Sequence, residues 1–321
     1  MELLRADNVV KRFDAVTAVD GVSFSVNQGE IFGFLGPNGA GKTTTINLLT
    51  GLARLTSGSL YLEGEEYSTR LKRAQAVMGV VPDESNLYEE LDGFQNLTFC
   101  ASLYGIDRRR REQRAKELLE QFGLAQVGKR FFKSYSRGMK RKLTIAAGII
   151  HEPKILFLDE PTTGIDVMSA RQIRTLILEL NRRGTTIFLT THYIEEAERL
   201  CHRIAFIVAG KIIRIGSLEE LMQEYQRDTV LQMAVEETGP ELLLSLRQQF
   251  PRYSIRRTDE RSIRVVSGGS ITLLPLLDFL TGRGVAVTEA RLIRPTLEEV
   301  FVRVTGIESE LMMQEREGKK K

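Results

Sequence analysis

The stretch EIFGFLGPNGAGKT, Glu30 to Thr43, joins a short apolar run, a glycine-rich turn and a Lys-Thr pair. Glu30 to Gly36 reads as a buried strand ending in glycine. Lys42 to Gly51, KTTTINLLTG, reads as a helix, with Gly51 just past its end, where a helix stop is expected. The turn between them, GPNGAGKT, Gly36 to Thr43, matches G-x-x-x-x-G-K-[ST]. Four fixed positions match by chance in roughly one chain in a hundred of this length, so the match carries weight. The residue types suit a phosphate site. Glycines let backbone N–H groups turn inward around phosphate oxygens. Lys42 supplies a point charge for β and γ phosphates, the Thr43 hydroxyl suits Mg2+, and the helix start adds its positive dipole end.

The second half of such a site is ILFLDE, Ile155 to Glu160. Four apolar residues make a buried strand, with two carboxylates at the carboxyl end, where parallel sheets bind ligands. Asp159 is placed to hold Mg2+ and Glu160 to orient or deprotonate an attacking water. His192 ends the next apolar strand, TTIFLTTH, Thr185 to His192, and is expected at the same edge.

The surrounding pattern fits an α/β fold. Alternation from Leu3 to Val26 predicts half-buried strands, and Asn86 to Gly148 is mostly helical, most clearly in Arg108 to Gly123. A helix is expected around Ala170 to Leu180 and a closing hairpin over Arg203 to Gly216, turning at Ala209 and Gly210. Buried strands alternating with helices indicate a parallel sheet. After about Met222 the order becomes βαββαβ, which predicts a small ferredoxin-like α+β domain. A short helix over Pro295 to Gly306 follows, and the tail REGKKK is expected to be disordered. The predicted division is 1–222 with a helical part at about 86–148, then 223–306, then a tail from 307 to 321.

Composition sets limits. With 321 residues and 42% hydrophobic content, the chain can bury a sizeable core. Lys plus Arg at 45 nearly balances Asp plus Glu at 42, so the net charge of +3 does not point to a polyanion partner. Cys100 and Cys201 have neither metal nor redox spacing and read as reduced thiols. No apolar run approaches a membrane span and the N-terminus lacks a signal-peptide core, so a soluble protein is expected, with any membrane role coming through a partner.

Together these residues resemble the ATP-binding cassette (ABC) ATPases, from Met1 to about Gly216. GPNGAGKTT is similar to that family's Walker A loop, which implies ATP contacts from Gly36, Pro37, Asn38, Gly39, Ala40, Gly41, Lys42, Thr43 and Thr44. ILFLDEP resembles its Walker B strand, with Glu160 in the catalytic position. Gly164 to Asp166 resembles its D-loop, and His192 its switch histidine. Phe13 resembles the aromatic residue that stacks on adenine, a core phenylalanine being the alternative.

YSRGM, Tyr135 to Met139, occupies the place of the family signature L-S-G-G-Q. Ser136 and Gly138 are retained, while Tyr135, Arg137 and Met139 depart. Ser136 suits an N-cap. The helix from Arg137 to Ile150 carries an apolar stripe of Met139, Leu143, Ala146 and Ile150, and its cations are expected to face away or to flank the first turn. The resemblance implies that Ser136, Arg137 and Gly138 contact ATP held by a second subunit, so a lone chain hydrolyses poorly. Asp83, in VVPDES, stands where the family's Q-loop usually has glutamine. It is carried as a Mg2+ ligand acting through water.

SRGMKRKL and RPTLEEVFVRVTG resemble the ATPase subunits of drug-resistance and sodium-extrusion exporters, which carry a small accessory domain. That implies a homodimer at the inner face of the cell membrane, coupled to separate membrane-spanning permease subunits, without nucleic acid. The alternative is a cassette ATPase of translation or DNA repair. One cassette and no sustained heptads count against it. The accessory domain reads as a dimerisation or bracing module, with a ligand sensor as the rival reading.

Overall fold

The computed structural model describes residues 1–68, 71–223, 229–236, 238–293 and 296–307. The expected tail beyond 307, and Arg294 and Pro295 of the C-terminal motif, lie outside these residues. The described residues form two units. One is Met1–Leu218 with the described residues from Val304 onward, and the other is Glu219–Arg303.

The first unit opens with two long strands, β1 (Glu2–Phe13) and β2 (Val16–Asn27). Then come β3 (Ile31–Leu35), α1 (Lys42–Leu49), β4 (Ser57–Leu62), β5 (Glu65–Glu66), α2 (Leu71–Gln75) and β6 (Met78–Val81). Three helices follow: α3 (Gly93–Leu103), α4 (Arg108–Gln121) and α5 (Arg137–Gly148). The unit continues with β7 (Ile155–Asp159), α6 (Val167–Arg182), β8 (Thr186–Thr191), α7 (Ile194–Leu200), β9 (Arg203–Val208) and β10 (Lys211–Ser217). Gly51 stops α1 at φ +73°, donating its N–H to Leu48 O at 3.2 Å.

Two sheets result. One is antiparallel, in the order β2-β1-β4-β5, and the other runs β10-β9-β3-β8-β7-β6, parallel except for β10. The predicted parallel sheet is therefore present. β4, β5 and β6 were not expected from the sequence. The sheets meet through a phenylalanine cluster. Phe24 of β2 lies 5.1 Å from Phe34 of β3 and 5.7 Å from Phe188 of β8, and Phe157 of β7 lies 5.6 Å from Phe188. These rings exclude water and fix the sheets face to face.

Register places the site. β8 lies between β3 and β7, with Leu35 opposite Thr191 and Asp159 opposite Thr190. The loop after β3, the carboxylates ending β7 and His192 after β8 therefore leave one sheet edge together, as parallel-sheet geometry requires. Among the described residues no helix is long and apolar enough to cross a membrane.

α8 (Leu218–Gln223) leads out of the first unit. The second unit contains β11 (Thr229–Val235), α9 (Pro240–Gln249), β12 (Ser254–Asp259), β13 (Ser262–Ser267), α10 (Leu273–Thr281), β14 (Val287–Ile293) and the start of α11 (Leu297–Thr305). Its sheet order β12-β13-β11-β14, all antiparallel, is the ferredoxin-like arrangement. Leu231, Met233, Ile255, Ile263 and Val265 share a core with Leu246 of α9 and Leu276 and Leu280 of α10.

Candidate functional site

The phosphate loop is fixed by close backbone approach. A Cβ on Gly36 would lie 2.1 Å from Ile207 O, and one on Gly41 would lie 2.4 Å from Ala18 O. Gly41 also sits at φ +99°, so glycine is needed there on both counts. No side chain caps α1, which begins at Lys42. Its first N–H groups and dipole end are thus presented by the loop, as anion binding requires. Lys42 is buried and donates to Gly36 O at 2.7 Å and Pro37 O at 3.1 Å.

Thr43 Oγ1 donates to Asp159 Oδ2 at 2.7 Å, and Thr190 donates to Asp159 Oδ1. Two hard oxygen donors at the mouth of the loop fit Mg2+, which takes few protein ligands and keeps phosphate and water for the rest.

Glu160 adopts φ +48°, a left-handed conformation that costs a non-glycine residue about 1 kcal/mol or more. Its N–H bond to Thr190 O at 3.1 Å helps hold it there. The side chain is paired on both oxygens. Lys42 Nζ lies 3.1 Å from Oε1, and His192 Nδ1 lies 2.8 Å from Oε2. Thr163 Oγ1 also donates to Oε2, at 3.0 Å. Burial pushes the Glu160 carboxyl up, but the His192 bond and the Lys42 charge outweigh it and hold the group below its ordinary range. Lys42, Thr43, Asp159, Glu160 and His192 are thus brought together.

One expectation about α5 is corrected. Arg141 does not face away: it is 7% exposed. It donates to the carbonyls of Pro82, Asp83, Asp159 and Pro161. One guanidinium thereby ties the loop after β6 to the end of β7. Burial lowers its basicity, and the charges of Asp83 and Asp159 oppose that. Glu196 of α7 was also missed. It is 2% exposed and accepts from Thr162 Oγ1 at 2.7 Å. Burial pushes its carboxyl up.

Ser136 caps α5, accepting from Met139 N at 3.2 Å. A Cβ on Gly138 would lie 2.3 Å from Ser169 Oγ, so α5 packs tightly on the start of α6. Asp166 caps α6, accepting from Ser169 N at 2.9 Å, and Arg137 reaches Gly164 O at 3.4 Å. Tyr135, a departure from the signature, is buried and donates to Val127 O at 2.8 Å. Phe13 ends β1 and is 49% exposed, with Lys11 Nζ 4.6 Å from its ring centroid, so it is not a core residue. Asp83 lies in the exposed part of its loop.

A parallel sheet presenting a phosphate loop, a carboxylate pair and a histidine at one edge defines a P-loop nucleotide hydrolase. A family model described as ABC transporter matches residues 19–163. The linearmycin resistance ATP-binding protein of Bacillus subtilis is 34% identical, over 95% of this chain and 98% of its own. A daunorubicin resistance ATP-binding protein of Streptomyces coeruleorubidus is 37% identical, over 94% and 96%. A solved dimeric bacterial ABC transporter cassette is 25% identical, with TM-score 0.63, covering 67% of this chain and 99% of that one. The chain belongs to the ATP-binding proteins of ABC transporters, and it is an ATPase of that family.

Proposed function

We propose that two copies of this chain close face to face around two Mg·ATP and drive a pair of separate membrane-spanning permease subunits between access states. Hydrolysis then lets the dimer reopen. The work is export, and the chain sits peripherally at the inner face of the cell membrane. The relatives' names, resistance to linearmycin and to daunorubicin, support an antibiotic-type compound as cargo. The dimeric solved cassette supports the pairing. No nucleic acid takes part.

The observation that carries the catalytic part is the double pairing of Glu160 with Lys42 and His192. Once Lys42 moves from Glu160 onto phosphate, Oε1 becomes available to a water. Glu160 orients that water and takes its proton as the water oxygen bonds to the γ phosphorus. The bond from that phosphorus to the ADP oxygen breaks, leaving ADP and phosphate. His192 holds the carboxylate by Oε2. Thr43 and Asp159 hold Mg2+, which when bound neutralises phosphate charge. Asp83 assists through water, and an Asp83→Gln variant with raised ATPase and unchanged Mg2+ dependence would overturn that role. Phe13, being half exposed, is suited to stack on adenine. Ser136, Arg137 and Gly138 face the partner subunit's nucleotide, with Asp166 beside them.

Binding of ATP does the switching, so ATP must favour the closed dimer over the open one. Glu160→Gln is expected to slow hydrolysis about a thousandfold while retaining ATP. Light scattering with saturating Mg·ATP should show a stable dimer, and a variant that stays monomeric sinks the closure mechanism. Purification from native cells in mild detergent tests the transport part. A co-purifying polytopic membrane protein supports it, whereas ribosomes or nucleic acid would favour the translation or repair reading.

A further inference from the structure

The second unit carries a cavity of about 570 Å3 whose wall includes five arginines: Arg252, Arg256, Arg257, Arg264 and Arg303. Among the described residues no carboxylate lines it. Its position follows from strand alternation. Leu231, Ile255, Ile263 and Val265 face α9 and α10 in the core, so their alternating neighbours Val230, Arg256, Arg264 and Val266 face the other way, into the cavity.

Register sets like charges side by side. Arg256 lies directly opposite Arg264 across β12 and β13. Such a like-charge pair destabilises a sheet unless an anion offsets it. Glu299 of α11 pairs with Arg264, but Arg264 Nε is buried and lacks a hydrogen-bond partner among the described residues. Arg256 is exposed, and among the described residues it forms no ion pair. Arg252 donates to the Tyr253 hydroxyl at 2.8 Å with its guanidinium 4.8 Å from the ring centroid, and Arg257 Nε donates to Asp259 O at 3.1 Å. The floor is apolar: Val230 is 3% exposed, and Val266 lies beside it.

From this placement we infer that the accessory unit binds a phosphate-bearing small molecule in the arginine-walled cavity. Guanidinium forks match phosphate oxygens in pairs, stay charged at every physiological pH, and lose less entropy per bond than lysines. Glu299 is a single carboxylate on Arg264, and the exposed Arg252 and Arg256 add guanidiniums beyond the one it pairs with. The volume suits a ligand of nucleotide or lipid-headgroup size, whose less polar part lies on the valine floor. The shared chemistry is the phosphate. The source is either a soluble phosphorylated metabolite or a phospholipid headgroup. None of its lining residues belongs to the catalytic set, so the inference stands independently of the export reading.

The experiment uses the full chain with its nucleotide site saturated by a non-hydrolysable Mg·ATP analogue. Pyrophosphate is titrated by calorimetry, and flotation compares phosphatidylglycerol with phosphatidylcholine vesicles. Each is repeated with Arg256→Ala and with an Arg252→Ala, Arg256→Ala double variant. Both positions are exposed and outside the catalytic machinery, so ATPase activity serves as the folding control. The expected result is binding of pyrophosphate, or of phosphatidylglycerol vesicles alone, weakened about tenfold or more by Arg256→Ala. Pyrophosphate binding assigns a soluble ligand, and binding of phosphatidylglycerol vesicles alone assigns the lipid headgroup. The inference is overturned if neither probe binds, or if the double variant binds as tightly as the native chain.

Discussion

Lys42 Nζ and Glu160 Oε1 lie 3.1 Å apart, with both side chains under a tenth exposed. The cation and the carboxylate that the proposed mechanism assigns to phosphate and to water therefore neutralise each other. Neither is left as an isolated buried charge, which would be costly. Under the proposed mechanism this ties ATP binding to base exposure: Lys42 has to leave Glu160 before Glu160 can act.

Lys42→Met is expected to abolish ATP binding and also to destabilise the fold by about 3 kcal/mol at neutral pH, because Glu160 loses its buried counter-charge. The pH dependence has a definite sign. Glu160 is held below its ordinary 4.5, so its contribution to stability is present above that value and lost as pH falls through the lower folded value. With Lys42 gone, the folded value rises. The acid-unfolding midpoint, followed by circular dichroism, should move to higher pH. An unchanged midpoint would mean that His192 alone holds the carboxylate down.

Arg141→Met removes one guanidinium from four carbonyls. The expected loss is about 3 kcal/mol in urea unfolding, since buried acceptors are left unpaired. Arg141→Lys should recover only part of that, because an ammonium cannot span the same fork. The side chain joins the loop holding Asp83 to the end of β7, so both variants should also weaken Mg2+-dependent ATPase activity. A variant as stable as the native chain would show that ordered water replaces the guanidinium.

Glu196 has the opposite sign to Glu160. Burial raises its carboxyl above the ordinary 4.5. The stability it contributes is fully present below that value and is lost as pH rises through the folded value. Glu196→Gln lacks this loss. Urea midpoints taken from mildly acid to neutral pH should show the variant gaining on the native chain as pH rises. Parallel curves would mean that Glu196 does not titrate in that window.

How much of this could be read from the chain follows from where each residue's partners lie. Gly36 to Thr43 forms a contiguous loop whose chemistry is local, and Asp159, Glu160 and His192 each fall at or one residue past the end of an apolar strand, so position alone announces them. Arg141 was concealed within a run of cations. It lies three residues after buried Gly138 and four before buried Ile145, a spacing that puts it on the inner face of α5. That was the available signal, and the charges around it masked it. Glu196 offered less, because its partner Thr162 comes from another turn of chain. The strands β4, β5 and β6 are two to six residues long, too short for a periodic pattern to emerge. The arginine cavity depended on strand register, which sets Arg256 against Arg264 and cannot be read from either strand alone.

Gly138 tests whether the start of α5 must sit against α6. A Cβ there would lie 2.3 Å from Ser169 Oγ and 2.6 Å from Ser169 Cβ, so rotating the serine side chain does not relieve the clash. Gly138→Ala is therefore expected to push the two helix starts apart, displacing Ser136 and Asp166 together. Under the dimer mechanism these residues act on the partner's nucleotide, so ATPase activity should fall about tenfold or more, while ATP affinity of the lone chain barely changes. Ser169→Gly removes both clashing atoms and keeps the backbone N–H that Asp166 accepts. The double variant Gly138→Ala, Ser169→Gly should thus recover much of the activity lost by the single one. Steady-state hydrolysis alongside fluorescent-nucleotide binding separates the two effects. Failure of the double variant to recover would place the defect in the signature residues themselves rather than in their packing against α6.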